Sequence, residues 1–374
     1  MKIGMIGCGS MGRTHAFALE NMKYFYSPLP FEATLDAVCA AHYESAVKAA
    51  EQFGASRAVF TEDELIGDPS IEVIDICTPN IYHYETIKKA IAAGKHIYCE
   101  KPLCVTEAQA KEVAALAKEK NVTAQIVFNN RFLAPVLRAK ELIEEGRLGP
   151  IVTFRAAYLH SSATDTKKKA GWKQDRDICG GGVLFDLGSH VIDLVQYLCG
   201  PIGTVSGQSQ IYYKERTGRT GESWQTNADE AFYLTCGMDS GAVGTITVSK
   251  LNIGANDDLT LEIYGEKGAL KFDLMDLNWL WFYDGAKQDG AIGGERGFTR
   301  IECVSRYPAP GGVFPGIKAP SGWLRGHIGS LFSFLSSVEA HTPASPSFDD
   351  GARVQAVMER AYQSDKDGSA RLRV

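Results

Sequence analysis

The feature that most constrains this chain is a glycine-rich turn that directly follows its first apolar run. Residues Lys2–Ile6 predict a short strand, Gly7, Gly9 and Gly12 form a Gly-x-Gly-x-x-Gly turn, and residues 11–22 predict a helix. In this context the first glycine permits a tight turn, the second lets a ligand approach the backbone, and the third lets helix and strand pack closely. Because a helix N-terminus offers unpaired N–H groups, the turn is predicted to hold the diphosphate of a dinucleotide.

The turn opens a region in which short apolar runs alternate with helical stretches. The predicted strands are residues 2–6, 34–39, 72–77, 96–99 and 123–128, and the predicted helices are residues 11–22, 44–53, 84–93 and 107–120. This alternation requires right-handed crossovers and produces a parallel sheet covered by helices on both faces. Residues 1–128 are therefore predicted to form a doubly wound, dinucleotide-binding Rossmann domain.

The pattern changes after residue 128, where strands follow one another with few helices between them. The predicted strands are residues 151–159, 207–213, 230–236, 242–249, 259–264 and 269–272, and the predicted helices are residues 132–145, 182–198, 324–340 and 351–363. Residues 284–322 are rich in glycine and proline and predict a long excursion. We therefore expect residues 129–374 to form an α+β domain with a large, mostly antiparallel open sheet and helices on one face.

Composition and charge exclude several classes of partner. The chain has 374 residues, which favours two domains, and a net charge of −6, which argues against nucleic acid or an anionic membrane as a partner. The basic run at residues 167–169 is interpreted as a solvated loop. No apolar run is judged long enough to span a membrane, and the N-terminus does not resemble a signal peptide.

The nine cysteines contain no Cys-x-x-Cys pair and no zinc-ligand spacing. Cys39, Cys77 and Cys99 each lie near the end of an apolar run, which indicates buried, reduced thiols. We therefore expect no metal, and a cytoplasmic location.

The second strand lacks the acid that usually binds the adenosine ribose of NAD. The strand at residues 34–39 is followed by Ala40, Ala41 and His42, and there is also no arginine that would bind the 2′-phosphate of NADP. His42 suits a contact with the ribose or adenine as well as an ordinary surface position. We expect NAD as the cofactor because no phosphate clamp is evident, and NADP stays open.

Two further motifs carry polar side chains suited to catalysis. Lys101 follows the fourth strand, and the carboxyl ends of parallel strands are where ligands bind in such sheets. Asp186, His190 and Asp193 are spaced at i, i+4 and i+7, so an α-helix would place them on one face. A histidine one turn from an aspartate, after three consecutive glycines, points to function rather than to packing.

In these motifs the sequence resembles the Gfo/Idh/MocA family, which includes glucose–fructose oxidoreductases and inositol dehydrogenases. The matching segments are GCGSMG at residues 7–12, EKP at residues 100–102 and GGGVLFDLGSHVID at residues 180–193. Thr78, Asn80 and His83 resemble the family's cofactor-lining loop, and Asn129 and Arg131 resemble its segment after the last Rossmann strand.

The resemblance implies a catalytic set of Lys101, Asp186 and His190. A histidine suits proton abstraction near neutral pH, a lysine can stabilise the developing charge on the same oxygen, and Asp186 can orient either the histidine or a hydroxyl. The implied cofactor-binding residues are Gly7, Gly9, Ser10, Met11, Gly12, His42, Thr78, Asn80, His83, Glu100, Lys101 and Asn129. The expected substrate-binding residues are Lys101, Arg131, Tyr158, Trp172, Asp186 and His190, with Lys173 and His327 as further candidates outside the Rossmann half.

The expected activity is NAD(P)-dependent oxidation of a secondary hydroxyl of a sugar, glycoside or cyclitol. One alternative is a glycosidase that uses bound NAD to oxidise C3 before elimination. A second alternative is a non-catalytic regulator that senses a dinucleotide. The resemblance also implies a homo-oligomer assembled through the outer face of the C-terminal sheet.

Overall fold

The computed structural model describes residues 1–167, 169–218 and 220–374. The central lysine of the basic run at 167–169 lies outside the described residues. Within them the strands form a six-stranded, a two-stranded and a nine-stranded sheet. The chain divides into two compact units. The first unit comprises residues 1–132, 307–317 and 324–355, and the second comprises residues 133–306, 318–323 and 356–374. The boundary expected near residue 128 stays a prediction.

The first unit contains the six-stranded sheet, with the strand order β3-β2-β1-β4-β5-β6 and parallel pairing throughout. The Rossmann prediction is therefore confirmed. Its elements are β1 (Lys2–Ile6), α1 (Ser10–Phe25), β2 (Thr34–Cys39), α2 (Tyr43–Phe53), β3 (Arg57–Val59), α3 (Glu62–Gly67), β4 (Val73–Ile76), α4 (His83–Ala92), β5 (His96–Cys99), α5 (Glu107–Glu119) and β6 (Ala124–Ile126), with 3₁₀ turns at Asn80–Tyr82 and Asn129–Phe132.

Two elements of this unit were missed by the pattern, and two predicted strands were too long. Strand β3 has three residues, of which Arg57 is exposed, so it is too short to show a period. Helix α3 is also short and follows it directly. The strand predicted at residues 72–77 covers only Val73–Ile76, and the strand predicted at residues 123–128 covers only Ala124–Ile126.

The second unit contains the nine-stranded sheet, with the order β16-β15-β14-β13-β7-β12-β11-β8-β17. Only β7 and β12 pair in parallel among the described strands of this sheet, so the prediction of a mostly antiparallel sheet is confirmed. Its elements are α6 (Ala134–Glu144), β7 (Ile151–Leu159), α7 (Arg176–Cys179), α8 (Ser189–Cys199), β8 (Ile202–Gln210), β9 (Glu215–Thr217), β10 (Ser223–Gln225), β11 (Ala231–Met238), β12 (Val243–Ser249), β13 (Asp258–Gly265), β14 (Gly268–Asp273), β15 (Trp279–Asp284), β16 (Phe298–Glu302) and β17 (Leu372–Arg373), with 3₁₀ turns at Trp172–Gln174 and Leu274–Asp276. Helices α9 (Trp323–Glu339) and α10 (Phe348–Lys366) lie between β16 and β17 in the sequence.

Several boundaries in this sheet differ from the prediction. The strand expected at residues 207–213 is Ile202–Gln210, because the apolar positions Ile202 and Val205 already belong to the buried face. Strand β15 was missed, and the excursion expected at residues 284–322 contains strand β16.

The nine-stranded sheet has one buried face and one exposed face. Its register places Leu261, Ala156, Ile246 and Leu234 side by side, and all four are buried. The alternate row runs through Trp281, Lys271, Glu262, Arg155 and Thr245 and faces outward. This alternation is typical of an antiparallel sheet with helices on one side.

One helical stretch of the described residues, residues 176–199, is long and apolar enough to cross a membrane by length and composition. The expectation that no run reaches that length is therefore wrong on those two criteria. However, 78% of the 18-residue window that meets these criteria is buried inside the protein, as is typical of a core helix.

Candidate active site

The glycine turn has the shape of a diphosphate cradle. Gly7 has φ +97, and a Cβ added there would lie 2.5 Å from the carbonyl oxygen of Cys77. A Cβ on Gly12 would lie 2.3 Å from the Gly7 oxygen, whereas one on Gly9 would meet no described atom within 4 Å. No described side chain caps α1 at Gly9, so its first N–H groups face the open side of the turn. These observations fit a bound dinucleotide diphosphate near Gly9, Ser10 and Met11.

The adenosine end of this unit lacks an available acid at the expected position. Asp36 is bound by Arg57 and Lys2, at distances of 3.0 and 3.2 Å. His42 is exposed and precedes α2 without capping it through its side chain, as far as the described residues show. Its position leaves the ring accessible to a ribose or to solvent.

The loop after β4 is tied to the loop after β5. His83 is fully buried, and its two ring nitrogens lie 2.9 Å from the carbonyl oxygens of Thr78 and Pro102. Burial lowers the pKa of His83. Asn80 and Asn129 are also buried. The structure thus gives His83 a role in joining the two loops on which Thr78 and Lys101 lie.

In the second unit, Asp186 is held by two lysines. Lys250 Nζ lies 2.9 Å from its Oδ2, and Lys173 Nζ lies 2.8 Å from its Oδ1. Lys250 is buried, whereas Lys173 is exposed on the turn that also carries Trp172. Lys250 was not predicted as a site residue, although its position directly after the apolar strand β12 could have indicated one.

The helix expected at residues 182–198 is interrupted. A π-helical segment covers Leu184–Gly188 and continues into α8. The i, i+4 spacing of Asp186 and His190 therefore spans a π-helical turn, a feature that is frequent at functional sites. Asp193 is almost fully buried and does not share the accessibility of His190.

Asp229 anchors the start of this segment. Its carboxylate accepts the backbone N–H groups of Gly182 at 2.9 Å and Leu184 at 3.0 Å, and also the Tyr362 hydroxyl. Bonds of this kind satisfy first-turn donors that have no partner within the helix. The sequence offered no local signal for this contact, because Asp229 lies 47 residues from Gly182.

A second polar group lies beside His190. The rings of Tyr158 and His190 pack edge to face with centroids 6.1 Å apart. The Tyr158 hydroxyl donates to Asp257 Oδ1 at 2.5 Å, and His160 Nε2 lies 2.8 Å from the same oxygen. Burial raises the pKa of Asp257, but hydrogen bonds from His160 and Tyr158 outweigh it and the pKa is lowered. Asp257 and His160 were not predicted.

Two substrate candidates have different surroundings from those expected. Arg131 is buried and donates to Asp350 Oδ1 at 3.1 Å. His327 lies on α9 in the first unit, with its ring centroid 6.1 Å from that of His15. Arg131 and His327 both belong to the first compact unit, and their contact with substrate stays a prediction.

Similarity to known proteins defines the class. Residues 1–128 match the profile of an oxidoreductase family with an NAD-binding Rossmann fold, which confirms the predicted NAD-dependent oxidoreductase class. Residues 136–271 match the GFO/IDH/MocA C-terminal domain. The chain therefore belongs to the Gfo/Idh/MocA oxidoreductase family, as its motifs indicated.

Full-length relatives are sugar dehydrogenases. The levoglucosan dehydrogenase of Pseudarthrobacter phenanthrenivorans is 30% identical over 97% of this chain and 96% of its own. The glucose-6-phosphate 3-dehydrogenase of Bacillus subtilis is 27% identical over the same shares. A solved levoglucosan dehydrogenase in complex with NADH and levoglucosan has a TM-score of 0.95, 30% identity, and coverage of 100% of this chain and 99% of that one.

Proposed function

We propose that the protein oxidises a secondary hydroxyl of a sugar, glycoside or cyclitol, with NAD as the hydride acceptor. In this proposal residues 1–128 bind the dinucleotide and residues 129–374 bind the substrate. The observation that carries the proposal is the fixed carboxylate of Asp186, held by Lys250 and Lys173 in the segment that continues to His190. A regulator that only senses a dinucleotide has no need of this arrangement.

Each residue has a distinct role in the proposed oxidation. His190 takes the proton of the substrate hydroxyl, because an imidazole is a suitable base near neutral pH. Lys101 donates to the same oxygen and stabilises the charge that develops there. Asp186 orients the substrate or the histidine, and Tyr158 with Asp257 lines the side next to His190. NAD, when bound, supplies the acceptor for hydride.

The proposed substrate class is a neutral pyranose or anhydropyranose, with levoglucosan as the first compound to test. The full-length similarity to an enzyme of that name supports this choice. Arg131 and Trp172 remain proposed substrate contacts.

The test is a panel of levoglucosan, glucose, glucose 6-phosphate, methyl glucosides and myo-inositol with NAD or NADP, read by absorbance of the reduced cofactor. We expect turnover of at least one neutral sugar with NAD. Lys101→Ala and His190→Ala should each lower kcat by about a hundredfold or more and leave a residual turnover that can still be measured, whereas Lys111→Ala, at an exposed lysine on α5, should not lower it. Release of aglycone without added NAD would favour the glycosidase, and NADH binding without any turnover would favour the sensor.

The preference for NAD is proposed from the residues after β2. Neither Ala40 nor Ala41 provides a positive charge for a 2′-phosphate, and the nearby Arg57 is bound to Asp36 and Asp68.

All nine cysteines, which lie within the described residues, are free thiols. This supports the proposal of a reducing, cytoplasmic location.

We also propose that the protein assembles through the exposed face of the nine-stranded sheet. Trp281, Lys271, Glu262 and Arg155 form one outward row across four adjacent strands, so the face offers both apolar area and paired charges. Trp281→Glu should reduce the sedimentation coefficient, whereas Tyr24→Glu, on an exposed site of the first unit, should leave it unchanged.

A further inference from the structure

A cluster of buried polar groups lies in the first unit, around His15 of helix α1. The imidazole Nδ1 lies 2.9 Å from Asp75 Oδ1, and Nε2 lies 3.1 Å from Glu100 Oε1. His15, Asp75 and Glu100 are all buried, and His327 and Cys77 lie against them. The proposed reaction uses neither His15 nor Asp75, so their burial beside Glu100 requires its own explanation.

The geometry indicates that His15 carries a proton on each ring nitrogen. A carboxylate accepts hydrogen bonds, and both nitrogens of His15 face carboxylate oxygens, so both must donate. Burial opposes the charged ring, yet the charge and hydrogen bond of Asp75 raise the pKa of His15 well above its usual value. Burial likewise opposes the charge of Glu100, but the hydrogen bond and charge of His15 lower the pKa of Glu100 to about 2.

The second oxygen of Glu100 reaches the residue that follows it. Glu100 Oε2 accepts the backbone N–H of Lys101 at 3.1 Å. One carboxylate therefore connects the His15 ring to the main chain of Lys101. On the other side of the turn, the carbonyl of Pro102 lies 2.9 Å from His83 Nδ1. The backbone around Lys101 is thus fixed from two directions by buried side chains.

We propose that His15 is a positioning residue, which holds Glu100 against the Lys101 N–H and thereby sets the direction of the Lys101 side chain. The proposal rests on the proposed function, in which Lys101 acts on the substrate hydroxyl. Helix α1 begins at the glycine turn and carries His15, so one rigid element serves both the dinucleotide turn and the placement of Lys101.

A metal ion is the competing explanation, because ligand atoms of His15, Glu100 and His327 lie within 4.8 Å of one another. A metal needs the lone pair of His15 Nε2, whereas the hydrogen bond to Glu100 needs a proton at the same nitrogen. The two readings therefore predict different states of the same atom, and an experiment on that atom separates them.

The first test is the protonation state of His15 in the full-length protein, measured by nitrogen-15 NMR of labelled histidine at pH 8. We expect a histidine signal with both ring nitrogens protonated that is present in the parent protein and absent from His15→Gln. A neutral ring, or zinc retained in stoichiometric amount by the purified protein, would overturn the proposal.

The second test is a double-mutant cycle between His15 and Lys101. His15→Gln combined with Asp75→Asn removes one positive and one negative charge, which limits the loss of folding. We expect this pair to lower kcat about tenfold with little change in KM, and to have less than about a twofold effect when Lys101 is already alanine. Equal losses in both backgrounds would overturn the positioning role.

A full activity of Lys101→Ala alone would instead refute the proposed function, so the two failures are distinguishable. If the His15 variants do not fold, Glu100 provides the same test. Glu100→Gln keeps an oxygen that can accept the Lys101 N–H, whereas Glu100→Ala does not, so the glutamine variant should retain more kcat. Equal kcat values for the two folded variants would overturn the proposal.

Discussion

Removal of the Asp229 carboxylate should detach the start of the segment that carries Asp186 and His190. Its two backbone hydrogen bonds, to Gly182 and Leu184, involve a charged acceptor and are each worth about 1.5–3 kcal/mol. Gly182 N also lies 3.0 Å from the Tyr362 hydroxyl and keeps that partner. We therefore expect Asp229→Ala to lower the free energy of unfolding by about 3–5 kcal/mol.

Asp229→Asn should lower the free energy of unfolding by about half as much as Asp229→Ala, because the amide oxygen still accepts one hydrogen bond while the NH₂ group faces a donor. Unfolding of the protein in urea is monitored by fluorescence, and kcat is measured on the variants that fold. We expect kcat to fall by about tenfold or more, since a displaced helix start moves the reacting groups. Asp239→Ala, in the exposed turn before β12, is the matched control. If Asp229→Ala unfolded within about 0.5 kcal/mol of the parent protein, the anchoring argument would be refuted.

Three further outcomes are expected. Gly12→Ala would place a Cβ 2.3 Å from the Gly7 oxygen, so it should raise the Kd for NADH by at least about tenfold in a fluorescence titration. Burial lowers the pKa of His327 to about 3, so the unfolded chain takes up this proton near pH 6.5 while the folded protein does not. This histidine should therefore lower the free energy of unfolding by about 1.4 kcal/mol for each pH unit between pH 6.5 and pH 3. In His327→Gln, urea unfolding measured over the same pH range should lack this contribution. Lys250→Met should lower kcat more than Lys173→Met, because Lys250 is a buried partner of Asp186 whereas Lys173 is exposed; equal effects would contradict this.

The sequence was sufficient for features that are local in the chain. The glycine turn, the strand before it and the helix after it have fixed spacings, and each was placed within a few residues. Strand β3 was not predicted because three residues are too few to show a periodic pattern. The π-helical segment Leu184–Gly188 was not predicted because its apolar residues have the same spacing as those of an ordinary α-helix.

Site residues that depend on contacts between distant elements could not be predicted. Lys250 follows β12, and its position next to Asp186 depends on the packing of β12 against the π-helical segment, a contact that no local pattern specifies. Asp257 approaches Tyr158 through the pairing of β7 with β13. His15 gave no signal either, because its partners Asp75 and Glu100 lie 60 and 85 residues away.

The cost of the His15 cluster is itself an argument about its purpose. Burying an imidazolium between two carboxylates requires desolvation of three charges, and apolar residues of similar volume often stabilise a core as well or better. Stability alone therefore does not explain why Asp75, His15 and Glu100 occupy this place. An ion cluster does provide what apolar packing cannot, namely a fixed direction for each oxygen. Since one of those oxygens binds the Lys101 N–H, the direction it fixes is that of the proposed catalytic lysine.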